Sequence, residues 1–174
     1  FKVVADLANG FWGYKDNNLT EADLPELYNN CLILLYRLLF VLYAEGRGLL
    51  PVKLSGVGTN KLYRERYSLQ RLIIKLGKRT DFQSDVVTDL YQELIRLFHL
   101  INGDKERLNK EAGVPRYNGG LFDPSKYPGL ENWQVGEKAL AGVLRDLMFS
   151  GGHTERSKQP QFEWGPIDYA DLEV

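Results

Sequence analysis

Few residues in this chain have the types and spacing that chemistry needs, and a basic segment is the clearest group among them. Residues 61–79 carry a net charge of +6 in a chain whose total is -1. The basic residues are Lys61, Arg64, Arg66, Arg71, Lys75, Lys78 and Arg79. Lys and Arg clustered along a helix are the electrostatic footprint of a nucleic-acid surface. Two interpretations stay open: contact with DNA phosphates, and a solvated basic face without a partner.

The other candidate residues lack partners at the required spacing. His99 has no second His or Cys at metal-ligand spacing, which predicts a solvated or hydrogen-bonded side chain. Gly56 and Gly58 make only part of a glycine loop, since no strand precedes them and no third Gly follows. The single cysteine, Cys31, lies in an apolar stretch and is expected to act as a small hydrophobe. No nucleophile–base set is present, so we expect no catalytic residue, metal or cofactor in this chain.

A long apolar helix must position these residues. Residues 24–43 are rich in Leu, Tyr and Phe, which predicts a helix. Its polar positions Glu26, Asn30 and Arg37 fall in one narrow stripe, so we expect burial on most sides. A membrane span is the competing interpretation. The unbroken apolar part, residues 31–44, is shorter than the ~20 residues that a span requires and has Arg37 in its middle.

Local signals delimit this helix and the segment before it. Thr20 and Asp23 match a capping-box pattern, and Pro25 falls in the first turn that follows. Residues 1–7 form a short helix or strand, and Asn9 with Gly10 marks a turn after it.

Two further amphipathic helices and one loop follow. A helix begins at Asp81 or Ser84 and ends near residue 102, with Val87 in its apolar stripe, and a last helix covers residues 135–149. Three prolines and three glycines in residues 114–130 predict a structured loop. The part of this loop that we expect to contact another domain is Tyr117, Asn118, Gly119, Gly120, Leu121 and Phe122. Leu121 and Phe122 should anchor the loop to the core.

These elements predict a mainly α fold, an irregular bundle of four to five helices around a buried central helix with long structured loops. Hydrophobic residues make up 44% of the chain and charged residues 26%, which is typical of a soluble globular protein. We divide the chain into an N-terminal segment (1–19), a helical domain (20–149) and a C-terminal linker (150–174). Strand content should be small and lie at the ends. No secretory signal is visible, so we expect a cytoplasmic protein.

Several blocks of the sequence resemble a known arrangement. The blocks are residues 38–51 (LLFVLYAEGRGLLP), 67–69 (YSL), 94–103 (LIRLFHLING), 117–123 (YNGGLFD) and 167–172 (IDYADL). In this order they resemble the helical region upstream of the methyltransferase domain in Type IIG and Type I-like fused restriction-modification enzymes. Gly46 stands where that family often has Asp, and Glu173 where Gly is common.

The resemblance implies a non-catalytic helical connector and DNA-contact module. Its parent would be a site-specific adenine-N6 DNA methyltransferase that uses S-adenosylmethionine, with an endonuclease in the same polypeptide. The implied partners are double-stranded DNA, through the parent protein, and the adjoining methyltransferase and nuclease domains, without a membrane. The methyltransferase must take its target base out of the stack, and the motifs that hold cofactor and base are expected outside residues 1–174. The alternative is a stand-alone helical protein-interaction domain that uses the loop 118–128 and has no nucleic-acid role.

Overall fold

The prediction of a mainly α fold is confirmed. The computed structural model describes residues 2–53, 59–78, 82–117, 119–150 and 165–166. Its α-helices are α1 (Lys2–Gly13), α2 (Leu24–Gly46), α3 (Lys61–Arg66), α4 (Leu69–Lys78), α5 (Asp89–Asn102), α6 (Glu106–Ala112), α7 (Pro128–Asn132) and α8 (Glu137–Met148). Three short 3-10 turns lie at Lys15–Asn17, Glu21–Asp23 and Pro124–Lys126. The described part thus has more helices than the four or five expected. The difference is due to the short helices α3, α6 and α7, which have only five to seven residues each.

Strand content is small. Two-residue strands β1 (Phe149–Ser150) and β2 (Gly165–Pro166) pair antiparallel, with Phe149 opposite Pro166. A single antiparallel bridge joins Val52 and Thr59. Most of the predicted C-terminal linker and the whole Gly56–Gly58 pattern lie outside the described residues.

The predicted capping box starts the 3-10 turn Glu21–Asp23, which leads directly into α2 at Leu24. The Thr20 amide and hydroxyl both donate to the Asp23 carboxylate at 2.8 Å, and Pro25 lies in the first turn of α2. One side of α2 forms the centre of the core, where Leu34, Leu38 and Val41 are fully buried. The expected burial on most sides is confirmed between Asn30 and Glu45, where only Tyr36 is exposed, and the first turns of α2 face solvent.

Helix α1 corrects the predicted turn at Asn9 and Gly10, since it continues through both residues to Gly13. Gly10 lies where α1 packs against α8. A Cβ there would lie 2.9 Å from Val135 Cγ1 and 3.0 Å from Ala139 Cβ, so the missing side chain lets α1 approach α8 closely. Phe11 on the next position is fully buried, which places the N-terminal segment in the same core as α2.

Helix α5 begins at Asp89, later than predicted, and Val87 lies outside it with 38% of its surface exposed. The Ser84 hydroxyl accepts hydrogen bonds from the amides of Val86 and Val87, which holds this segment in a turn. The Val87 carbonyl then accepts from the Glu137 amide at 2.8 Å, so the segment caps the start of α8.

Candidate functional site

The basic segment divides into two parts in the structure. Arg71 and Lys75 on α4 are half-buried and share the Glu93 carboxylate of α5, at 2.5 and 3.1 Å. These ion pairs, led by the bond from Arg71, overcome partial burial and hold the pKa of Glu93 below its usual value. Both cations are therefore engaged within the domain, although the single carboxylate offsets only one of their two positive charges.

The other part of the basic segment faces solvent. Lys61 and Arg66 on α3 are exposed and form no ion pair with any residue that the structure describes. Arg64 pairs with its neighbour Glu65 at 3.1 Å. The side chain of Lys78 and the whole of Arg79 lie outside the described residues. Lys61 and Arg66 are thus the predicted phosphate-binding residues that are available to a partner.

The predicted contact loop is anchored to the core, as expected for Leu121 and Phe122. Phe122 is buried and packs edge-on against Phe40, with the ring centroids 5.3 Å apart. Tyr117 packs against the same ring at 5.4 Å, whereas Gly119 is exposed and Gly120 adopts a positive φ of 72°. Asn118 lies outside the described residues. The loop thus holds the interior together, and little of its apolar surface is left for a partner.

Arg37 connects this loop to α2. Its side chain is fully buried, and its Nε donates to the Leu121 carbonyl at 2.8 Å. The guanidinium carbon lies 5.3 to 5.8 Å from the ring centroids of Phe98, Phe122 and Tyr127. Such cation–π contacts are stronger when they are desolvated. Both terminal nitrogens lack a hydrogen-bond partner among the described residues, and burial lowers the pKa of Arg37.

Glu45 joins the end of α2 to the start of α4. Its carboxylate is buried and accepts from the Tyr63 hydroxyl and the Leu69 amide at 2.8 Å, and from the Gln70 amide at 3.1 Å. A carboxylate at a helix N-terminus satisfies free amides and interacts favourably with the helix dipole. Burial nevertheless raises the pKa of Glu45 to about 7, against the three hydrogen bonds that lower it.

One side of α2 carries large apolar side chains that are exposed or partly buried. Its large side chains, which we call the α2 outer face, are Leu24, Tyr28, Leu32, Leu35, Tyr36, Leu39 and Tyr43. Tyr28 and Tyr36 are each 53% exposed, and Leu49 just beyond the helix is 55% exposed. Large exposed apolar surfaces in soluble domains often mark sites of protein–protein interaction. Sequence reasoning missed this face, although the apolar residues opposite Asn30 and Arg37 on a helical wheel would have indicated it.

Length and composition alone would let the segment Glu21–Gly46 cross a membrane. Half of its apolar window is buried against the rest of the domain. The buried half includes the charged residues Arg37 and Glu45.

His99 is hydrogen-bonded, as predicted. Its Nδ1 contacts the Asp104 carboxylate and its Nε2 lies 2.9 Å from Glu131 Oε2. Burial disfavours the charged ring, but the hydrogen bonds to the two carboxylates outweigh it and raise the pKa of His99. Within the described ranges, no group of three or more His, Cys, Asp or Glu side chains is arranged to hold a metal ion.

The described residues form a mainly α domain with buried polar contacts at Arg37 and Glu45 and with exposed or partly buried apolar side chains along α2. Comparison with known protein families, with curated proteins and with solved structures finds no match to this chain.

Proposed function

We propose that this chain is a helical connector and DNA-contact module of a restriction-modification enzyme, non-catalytic itself and packed against an adjoining domain. The α2 outer face is the observation that carries the proposal. A connector must bury apolar surface against its neighbour, and this face offers a helix-long row of Leu and Tyr. Tyr is also enriched where proteins meet other proteins.

The blocks that carry the resemblance also meet in space. Glu45 of the first block accepts from the amide of Leu69 in the second. Arg37, one residue before the first block, donates to the carbonyl of Leu121 in the YNGGLF block. Separate stretches of sequence are thus parts of one framework around α2, which supports reading them together. The block at residues 167–172 lies outside the described residues.

In this proposal the parent protein is an adenine-N6 DNA methyltransferase that uses S-adenosylmethionine, with nuclease activity in the same polypeptide. The coding sequence on both sides of residues 1–174 tests this most cheaply. We expect a glycine-rich cofactor loop and an Asn/Asp-Pro-Pro-aromatic motif downstream. A stop codon soon after Val174, with no such motif, would instead favour the stand-alone interaction domain, for which the α2 outer face would be the contact surface.

The DNA-contact part of the proposal assigns phosphate binding to Lys61 and Arg66. Replacing both with Ala in the parent protein should lower the slope of log affinity against log salt by about 2, since each phosphate contact contributes about 0.9. The measurement is DNA binding by fluorescence anisotropy across a salt series.

Arg71→Ala with Lys75→Ala provides the matched control for charge. These residues are bound to Glu93, so the salt slope should stay unchanged. If the slope changes with the control pair and not with Lys61 and Arg66, the assignment of the DNA contact is wrong.

A further inference from the structure

The imidazole of His99 links α5 to two other parts of the domain. Its Nδ1 contacts Asp104 in the turn after α5, and its Nε2 lies 2.9 Å from Glu131 Oε2 on α7. A neutral imidazole has one N–H group, whereas the imidazolium has two. Only the imidazolium can donate to both carboxylates at once, so this arrangement requires a charged ring.

The link from His99 to α7 is the one that depends on the second proton. Asp104 is fixed locally, because its Oδ1 accepts from the Asn102 side chain at 2.6 Å. Glu131 makes no other hydrogen bond with the described residues. A neutral ring that donates to Asp104 turns its unprotonated Nε2 towards the Glu131 carboxylate, and two acceptors that face each other repel.

Other titratable groups lie around His99 on the neighbouring elements. Those that line the cleft beside it are Tyr67, Arg96 and Lys105, and those that interact with Glu131 from α5 and α2 are Tyr91 and Arg37. Cations disfavour a charged ring, but water and salt screen the ones that are exposed. Partial burial also lowers the pKa of His99, yet the hydrogen bonds to Asp104 and Glu131 outweigh it, so the pKa is raised.

Helix α7 has few attachments of its own. It is five residues long, too short to be stable alone. Its main anchors are the buried Leu130 side chain and the Leu130 carbonyl, which accepts from the Tyr91 hydroxyl at 2.7 Å. Asn30 Nδ2 lies directly under α7, because a Cβ on Gly129 would collide with it. This buried nitrogen has no hydrogen-bond partner among the described residues, so water that reaches it favours separation of α7 from α2.

We propose that α7 is a strap that the doubly protonated ring of His99 holds closed, and that it opens more often once the ring is neutral. In the closed state the Glu131 carboxylate accepts from the imidazolium. In the open state this carboxylate and the Asn30 amide are hydrated. The inference does not depend on the connector proposal, since it uses neither the α2 outer face nor Lys61 and Arg66.

NMR on the 174-residue chain measures both halves of the proposal. The imidazole resonances of His99 between about pH 5.5 and 8.5 give its protonation. Amide hydrogen exchange, corrected for the intrinsic effect of pH, gives the protection of α7. The reporters are the amides of Leu130 and Trp133, which donate to the carbonyls of Tyr127 and Gly129.

We expect the protection of both reporter amides to fall about fivefold as His99 loses its proton, with the same midpoint as the imidazole. A charged hydrogen bond that is partly exposed contributes on about that scale. The titration of Glu45 changes the stability of the whole domain over the same range, so the fall is compared with that of the Leu140 amide. That amide bonds to Gly136 at the start of α8 and should lose less protection.

His99→Gln removes the titrating ring, so the protection of α7 should be low and should follow that of Leu140 at every pH. Glu111→Gln is the matched control, since it removes a half-exposed carboxylate that pairs with Arg107 on α6, and it should keep the native profile. A His99 ring that is neutral at pH 5.5, an equal loss of protection at Leu140, or a native profile in His99→Gln would overturn the proposal.

Discussion

At the scale of single residues, two buried charged groups join separate elements of the interior. Arg37 holds the loop at Leu121 and Phe122, and Glu45 holds the start of α4. Both lie on the buried side of α2. A buried charge usually costs free energy unless it is paired, so each residue makes a distinct prediction about stability.

Arg37→Met should change the free energy of unfolding by less than about 1 kcal/mol, because Met fills similar space and removes a charge with two unsatisfied nitrogens. Arg37→Lys should cost about 2 kcal/mol or more. A lysine ammonium lacks the planar guanidinium that contacts the three rings, and its charge remains buried. Urea unfolding of both variants measures the difference. A Lys variant as stable as the Met variant would show that guanidinium stacking contributes little.

The stability of the domain should fall as the pH rises from 5 to 7.5. The pKa of Glu45 is raised from 4.5 to about 7, so its contribution is full below 4.5 and is lost as the pH rises through 7. The loss is up to about 3 kcal/mol by linkage. His99 acts in the same direction, since its raised pKa makes its contribution full below 6.5 and lost at higher pH.

Glu45→Gln isolates the first of these groups. The variant cannot titrate at this position, so most of the decline between pH 5 and 6.5 should disappear, while the part due to His99 stays. Urea unfolding at several pH values measures both chains. A native pH profile in the variant would mean that Glu45 ionises normally in the folded protein.

At the scale of elements, the contact between α1 and α8 depends on a missing side chain. Gly10→Ala should destabilise the domain by about 1–3 kcal/mol, because the new Cβ would meet Val135 Cγ1 at 2.9 Å and push the helices apart. Gly142→Ala is the matched control in the middle of α8. No atom lies within 4 Å of its Cβ position, so it should stabilise by about 0.5–1 kcal/mol.

Thermal or urea unfolding shows whether each glycine substitution raises or lowers the stability of the domain. If Gly10→Ala is as stable as Gly142→Ala, the close approach of α1 and α8 does not exist in solution.

Periodicity and capping signals were enough to predict the mainly α fold, the start of α2 and the anchoring of Leu121 and Phe122. The position of Gly10 could not be read correctly, because a glycine that ends a helix and one that permits close packing look the same in a sequence. Val87 fits an apolar stripe but is held in a turn by Ser84. In each case a contact distant in sequence or a local side-chain bond overrode the pattern.

The candidate site was harder to predict than the fold. Seven basic residues share one segment, but their availability depends on Glu93, which lies on another helix. The partner of a charge is a tertiary property, so the sequence could not separate Arg71 and Lys75 from Lys61 and Arg66. The α2 outer face was not predicted from the sequence, because a helix that is apolar nearly all round is usually buried.

At the scale of the whole molecule, one side of the central helix α2 forms the core, and we propose that its outer face packs against a neighbouring domain. An internal framework of Arg37 and Glu45 fixes that helix, and the domain presents Leu and Tyr side chains outward along it. In the proposed role, the domain is a scaffold between the active sites of the parent protein.

Hydroxyl-radical footprinting tests this central claim most directly, by comparing the isolated 174-residue chain with the parent polypeptide. Tyr28 and Tyr36 are reactive aromatics, each 53% exposed in the isolated domain, and Trp12, 44% exposed on α1, is an internal reference. We expect oxidation of both tyrosines to fall several-fold in the parent polypeptide relative to Trp12, because the adjoining domain covers them. Equal oxidation of Tyr28 and Tyr36 in the two proteins would contradict the connector account.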